Sequence, residues 1–217
     1  MTMTGSYQRQ PHLLVHMPND SATNSPEYTD NDIDIALMLR VGKQDEQAFE
    51  ELISRHQGAV IGTVTKMLSS SSEAEDIAQQ VFIRIWKSAP RYQPKAKFTT
   101  FLFTIARNLV FNESRRRSRK KEYSMEEREE EFNIQSEDSG TASPDEQLLH
   151  GELQSAVDKA ISELPEKQRM AVILRRYENM PYEEIAQVLE LSISAVKSQL
   201  FRARHTLRES LQQYLDQ

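Results

Sequence analysis

Between Tyr182 and Leu207 the apolar residues fall into two sets of helical steps separated by a short break, a pattern that few folds accept. Ile185, Ala186 and Leu189 share one face of a short helix, Glu190-Leu191 turns the chain, and Ser192 is placed to cap a second helix. In that second helix Ile193, Val196, Leu200, Ala203 and Leu207 recur at steps of three and four, so one stripe can pack on the preceding helix, where the small Ala186 permits a close crossing. Ser194, Lys197, Ser198, Phe201, Arg202 and His205 recur at the same steps on the opposite side, a ridge of hydroxyls and cations with one aromatic. An α-helix fits the major groove of B-DNA, where Arg or Lys donates to guanine and Ser bonds to bases or phosphates. The pair reads as a helix-turn-helix that binds duplex DNA, with Arg204 and Arg208 flanking the ridge toward phosphates. The competing reading is a structural helical hairpin with a solvated charged face.

A chain of 217 residues accommodates two small domains of this kind. No run approaches the roughly 18 apolar residues of a spanning helix, and the polar stretch from Met1 to Tyr28 has no secretory h-region, which predicts a cytoplasmic protein. With no cysteine, thiol catalysis, thiolate metal sites and disulfides are excluded. The formal net charge of −6 argues against a nucleic-acid partner only as an average. From Arg84 to Lys121 cations such as Arg107, Arg115, Arg116 and Arg117 face a single acid, Glu113, and from Glu122 to Asp138 the balance reverses.

The pattern predicts an all-α chain of two small helical domains joined by a flexible acidic linker: a disordered tail over 1–29, a first domain over 30–121, the linker over 122–142, and a second domain over 143–217. In the first domain Ile33, Leu37 and Leu39 suggest a short helix stopped near Gly42, and Asp45 caps a longer one carrying Phe49, Leu52, Ile53, Val60, Ile61, Val64 and Leu68. Ser72 and Glu75 stand in capping-box register ahead of a helix with Ile77, Val81, Phe82 and Ile85, ending before Pro90. From about Thr99 a long helix has a core face of Leu102, Ile105, Ala106 and Leu109, and a second, mostly polar face of Thr100, Thr104, Arg107, Asn108, Phe111 and Arg115. In the second domain Ser143, Pro144 and Glu146 mark a helix start, Leu164-Pro165 a break, and Asn179 to Pro181 the end of the next helix.

These residues resemble the extracytoplasmic-function (ECF) sigma factors of bacterial RNA polymerase, part of the sigma-70 family. Asp45 to Leu52 looks like region 2.1, Glu75 to Phe82 like region 2.2, Phe98 to Arg117 like regions 2.3 and 2.4, Leu164 to Arg169 like region 4.1, and Tyr182 to Leu211 like region 4.2. The resemblance implies a first domain that docks on the β′ clamp helices through Asp76, Gln79, Gln80, Arg84 and Trp86, with core packing as the alternative for Trp86. It implies that the loop from Arg91 to Phe98, with Tyr92, Lys95, Lys97 and Phe98, receives an unstacked base of the −10 element, and that Arg107, Asn108, Arg115 and Arg116 hold the strand. Phe98, Phe101, Phe103 and Phe111 are candidate stacking platforms, most of them expected in the core. The second domain would read the −35 element with Ser194, Lys197, Ser198, Phe201, Arg202, Arg204 and His205 and contact the β flap. The implied partners are core RNA polymerase, promoter DNA and an anti-sigma factor, with no cofactor and no catalytic residue. The chain departs from many relatives in having Phe101 where they have Trp and Glu190 where they have Gly. Its acidic run Glu126 to Glu131 reads as a nucleic-acid mimic or a solvated spacer.

A stand-alone helix-turn-helix regulator is the alternative, but it leaves the first domain unemployed, and no sustained heptad seam offers a dimer interface. A metal-dependent nuclease fits poorly, because His12, His16, His56, His150 and His205 are scattered.

Overall fold

The computed structural model describes residues 29–123 and 144–215, and every regular element among them is helical. The first unit comprises α1 (Asp30–Val41), α2 (Glu46–Leu68), α3 (Ser71–Ser88), a 3-10 turn at Ala89–Arg91 and α4 (Phe98–Tyr123). The second comprises α5 (Pro144–Glu163), α6 (Glu166–Arg176), α7 (Tyr182–Leu189), α8 (Ile193–Ser210) and the short α9 (Gln212–Leu215). The acidic run Glu126 to Glu131 and the Ser143 cap lie outside the described residues.

The helix ends follow local chemistry. Thr29 and Asp32 exchange the reciprocal bonds of a capping box at the start of α1, and the Asp45 carboxylate accepts from Ala48 N–H at the start of α2. Gly42 closes α1 where a Cβ would come within 2.8 Å of the Ala89 carbonyl oxygen, so the chain needs a residue without a side chain there. The box expected from Ser72 and Glu75 does not form: α3 starts at Ser71, with Ser70 at the cap position and no side-chain cap bond. Ser69, at φ 55°, turns the chain sharply out of α2, leaving Ser70 already extended for the next helix. In α1 the buried apolar residues are Leu37, Met38 and Val41, while Leu39 points outward.

In the first unit α2 packs on α1, α3 and α4; in the second, α8 packs on α5, α6 and α7. The two units meet along α4–α7, α2–α6 and α2–α5 contacts. Arg169 of α6 ties this junction, donating to the carbonyls of Met67 in α2 and of Ser162 and Leu164 near the end of α5. The junction revises the reading of α4. On its second, mostly polar face Thr100, Arg107 and Phe111 are buried, and Arg107, expected to hold the strand, lies where α7 packs against α4.

Candidate nucleic-acid interface

The ridge of α8 is fully presented. Ser192 caps the helix, its Oγ accepting from Ala195 N–H at 3.2 Å, and Val196, Leu200 and Ala203 are buried on the inner side. Ile193, expected in that stripe, sits at the first turn and stays 40% exposed. Ser194, Lys197, Ser198, Phe201, Arg202, Arg204 and His205 are all exposed, Phe201 at 71%. The preceding turn is built from backbone: Leu191 N–H donates to Ala186 C=O at 2.9 Å, and Glu190 holds φ 55°, in the left-handed region.

A second concavity opens between the end of α3, the 3-10 turn and the first turns of α4. This pocket of about 400 Å³ is lined by Arg84, Lys87, Ser88, Arg91, Tyr92, Gln93 and Phe101. Tyr92 and Phe101 form its aromatic part, ring centroids 5.2 Å apart, and cations surround it. Burial, then the nearby Asp34 carboxylate, push the Tyr92 hydroxyl above its ordinary pKa, so it stays a neutral donor. Phe98, Phe103 and Phe111 are in the core, so Phe98 offers no face to a base; its N–H instead donates to Asn31 Oδ1 at 2.9 Å, which anchors α4 on α1. Residue spacing did not single out Ser88 or Gln93, because the pocket joins residues from three segments. The signal available was the alternation of cations and aromatics from Arg84 to Phe101.

Of the other residues expected to meet a strand, Lys95, Asn108, Arg115 and Arg116 are exposed, and Arg116 pairs with Glu113 at 2.8 Å. Lys97 and Arg107 are engaged across the unit junction. Lys97 Nζ lies 2.7 Å from Glu184 Oε1, and Arg107 Nη2 lies 2.5 Å from Glu190 Oε1. The Arg107 bond holds the Glu190 carboxyl below the usual carboxylate range. In this arrangement α7 packs on α4 and covers part of this surface.

On α3, Asp76, Gln79, Gln80 and Arg84 share an exposed face, joined by Ile83, which sequence reading passed over and which is 49% exposed. Trp86 is half-buried against Phe49, ring centroids 4.9 Å apart. Among the described residues there is no cluster of side chains able to hold a metal ion and no helix long and apolar enough to cross a membrane.

Comparisons with known proteins follow this division. Residues 52–120 match the family described as sigma-70 region 2, and residues 154–207 match sigma-70 region 4. The chain is 32% identical over 184 residues to the RNA polymerase sigma-H factor of Pseudomonas aeruginosa, covering 84% of this chain and 95% of that protein. It is 31% identical over 181 residues to the ECF RNA polymerase sigma-E factor of Haemophilus influenzae, covering 82% and 95%. Among solved structures, the sigma factor RpoE in complex with the anti-sigma factor NepR, from Bartonella quintana, superposes with a TM-score of 0.63 at 25% identity, covering 76% of this chain and 96% of that one. CnrH, solved with the cytosolic domain of CnrY, shares the fold with a TM-score of 0.62 at 22% identity, covering 83% and 98%.

Proposed function

The chain belongs to the ECF sigma factors of the sigma-70 family, and we propose that its two helical units divide promoter recognition between duplex reading and strand capture. It is a promoter-specificity subunit that binds core RNA polymerase and directs initiation at promoters with −35 and −10 elements. The observation that carries the division of labour is the contrast between two surfaces. One is a protruding helix ridge of hydroxyls and cations that a major groove admits; the other is a cation-rimmed aromatic pocket that fits one unstacked base.

In this reading the unit over 30–121 docks on core polymerase, with Asp76, Gln79, Gln80, Ile83 and Arg84 on the exposed face of α3 against the β′ clamp helices. The half-buried Trp86 supports that face from behind. A −10 base enters between Tyr92 and Phe101, while Lys95, Lys97, Asn108, Arg107, Arg115 and Arg116 take phosphates or neighbouring bases. Strand separation then runs on binding energy, each base–aromatic stack being worth about 1–3 kcal/mol. The unit over 143–217 reads −35 with Ser194, Lys197, Ser198, Phe201, Arg202 and His205, and Arg204 meets the backbone. It also contacts the β flap. The chain carries out no chemistry of its own, acts in the cytoplasm, and is held in check by an anti-sigma protein of the kind that the relative from Bartonella quintana binds.

Mapping RNA 5′ ends after overexpression tests this. A set of new start sites should share one motif near −35 and one near −10, separated by a fixed spacer. New transcripts lacking any shared pair of motifs would refute the assignment.

A further inference from the structure

We propose that Glu184 and Glu190 of the helix-turn-helix act as an internal competitor for promoter phosphates, holding Lys97 and Arg107 of the strand-capturing surface until α7 lifts away from α4. The inference rests on the reading of α4 as the strand-binding helix. Arg107 has a side chain only 9% exposed, and Glu190 is its ion-pair partner at 2.5 Å; Lys97 meets Glu184 at 2.7 Å. A carboxylate and a phosphodiester each offer a guanidinium or ammonium anionic oxygens, so either cation serves one or the other.

The Glu190 side chain does nothing for the turn that contains it. The turn is closed by backbone bonds from Glu190 N–H and Leu191 N–H, and its φ of 55° is a conformation that glycine adopts without strain. A side chain carried there at a conformational cost makes its one polar contact to Arg107. That contact uses only part of the guanidinium, since Arg107 Nε is buried with no hydrogen-bond partner in the structure. A phosphate reaching both edges of the fork would satisfy more donors, so the pairing is set to be exchanged rather than kept. The α8 ridge, meanwhile, stays open. The latch therefore bears on the −10 surface and leaves the α8 ridge as it is.

The test measures binding of the full-length protein to a fluorescein-labelled, random-sequence single strand of roughly 20 nucleotides, by anisotropy at about 50 mM salt. The double variant Glu184→Gln/Glu190→Gly should bind on the order of tenfold more tightly than the parent, as expected when a mostly closed population is released. A control, Glu50→Gln/Glu51→Gln, removes the same charge from exposed positions on α2 and should stay within about twofold of the parent. Adding Arg107→Ala to the released variant should abolish most of the gain. Equal affinity of parent and released variant, or an equal gain in the control, overturns the proposal. The sigma-factor reading fails separately: core polymerase that opens no promoter with parent or variant sinks both, whereas promoter opening by the parent with no effect of release sinks the latch alone.

Discussion

The carboxylate of Asp34 lies 2.9 Å from Nε2 of His56, and His56 leans on Phe98 with ring centroids 5.1 Å apart. Arg55 Nε completes the cluster at 2.7 Å from the other carboxylate oxygen. Burial pushes the Asp34 carboxyl up, but hydrogen bonds and charge from His56 and Arg55 outweigh it and hold the group below its ordinary value. A carboxyl with a lowered folded pKa adds stability above its unfolded pKa, about 3.9, and that contribution fades as pH falls through the folded value. Asp34→Ala should therefore cost about 2–3 kcal/mol at neutral pH, since it strands a half-buried His and a partly exposed Arg. Urea unfolding at several pH values checks this: the gap between parent and variant should narrow as pH drops below about 4.

Phe201→Ala should leave the thermal midpoint unchanged within error, because the ring is 71% exposed and supports nothing. Its affinity for −35 duplex should fall by about 1–2 kcal/mol if the ring meets a thymine methyl group. Ser192→Ala should do the reverse, costing about 1 kcal/mol of stability through loss of the α8 cap. Duplex binding by anisotropy alongside thermal melts separates the two.

The two surfaces were unequally legible in the sequence. The α8 ridge and its turn follow from spacing within one continuous segment, and Ser192, Glu190 and the stripe through Val196, Leu200 and Ala203 stand where that spacing puts them. The fate of Arg107 and Thr100 was not legible, because periodicity gives a helix two faces without saying which distant element lies on the second. Packing of α7 on α4 decides it, through side chains 83 residues apart in the case of Arg107 and Glu190. Ile83 illustrates the converse: an apolar residue outside its helix stripe reads as noise until the exposed face around it is seen.

Arg169 donates to the carbonyl oxygens of Met67, Ser162 and Leu164, a fork that binds α6 to α2 and to the end of α5. Burial lowers its pKa, with Glu166 pulling back, so the charge is held at a cost that the three acceptors offset. Arg169→Lys cannot span these acceptors and should destabilise by about 2–3 kcal/mol, nearly as much as Arg169→Ala, in chemical unfolding.

Glu178 accepts from Thr63 Oγ1 at 3.1 Å across the unit junction. Burial raises its pKa, and the Thr63 bond and His56 only partly oppose this. A raised folded pKa stabilises while the carboxyl is protonated, and that benefit is lost as pH rises through the folded value. At pH 7 the ionised group is therefore a cost, and Glu178→Gln, which keeps an acceptor for Thr63, should raise the melting temperature by about 2 °C. The difference should shrink toward acid pH in a series of thermal melts.

Permanganate reactivity of unpaired thymines on a promoter found by start-site mapping tests the central claim most directly. Thymines around −10 should become reactive only when core polymerase and this protein are both present, and Tyr92→Ala/Phe101→Ala should abolish the signal while −35 protection persists. Tight duplex binding by the protein alone, with no reactive thymines and no effect of added core polymerase, would contradict the account and leave a stand-alone regulator in its place.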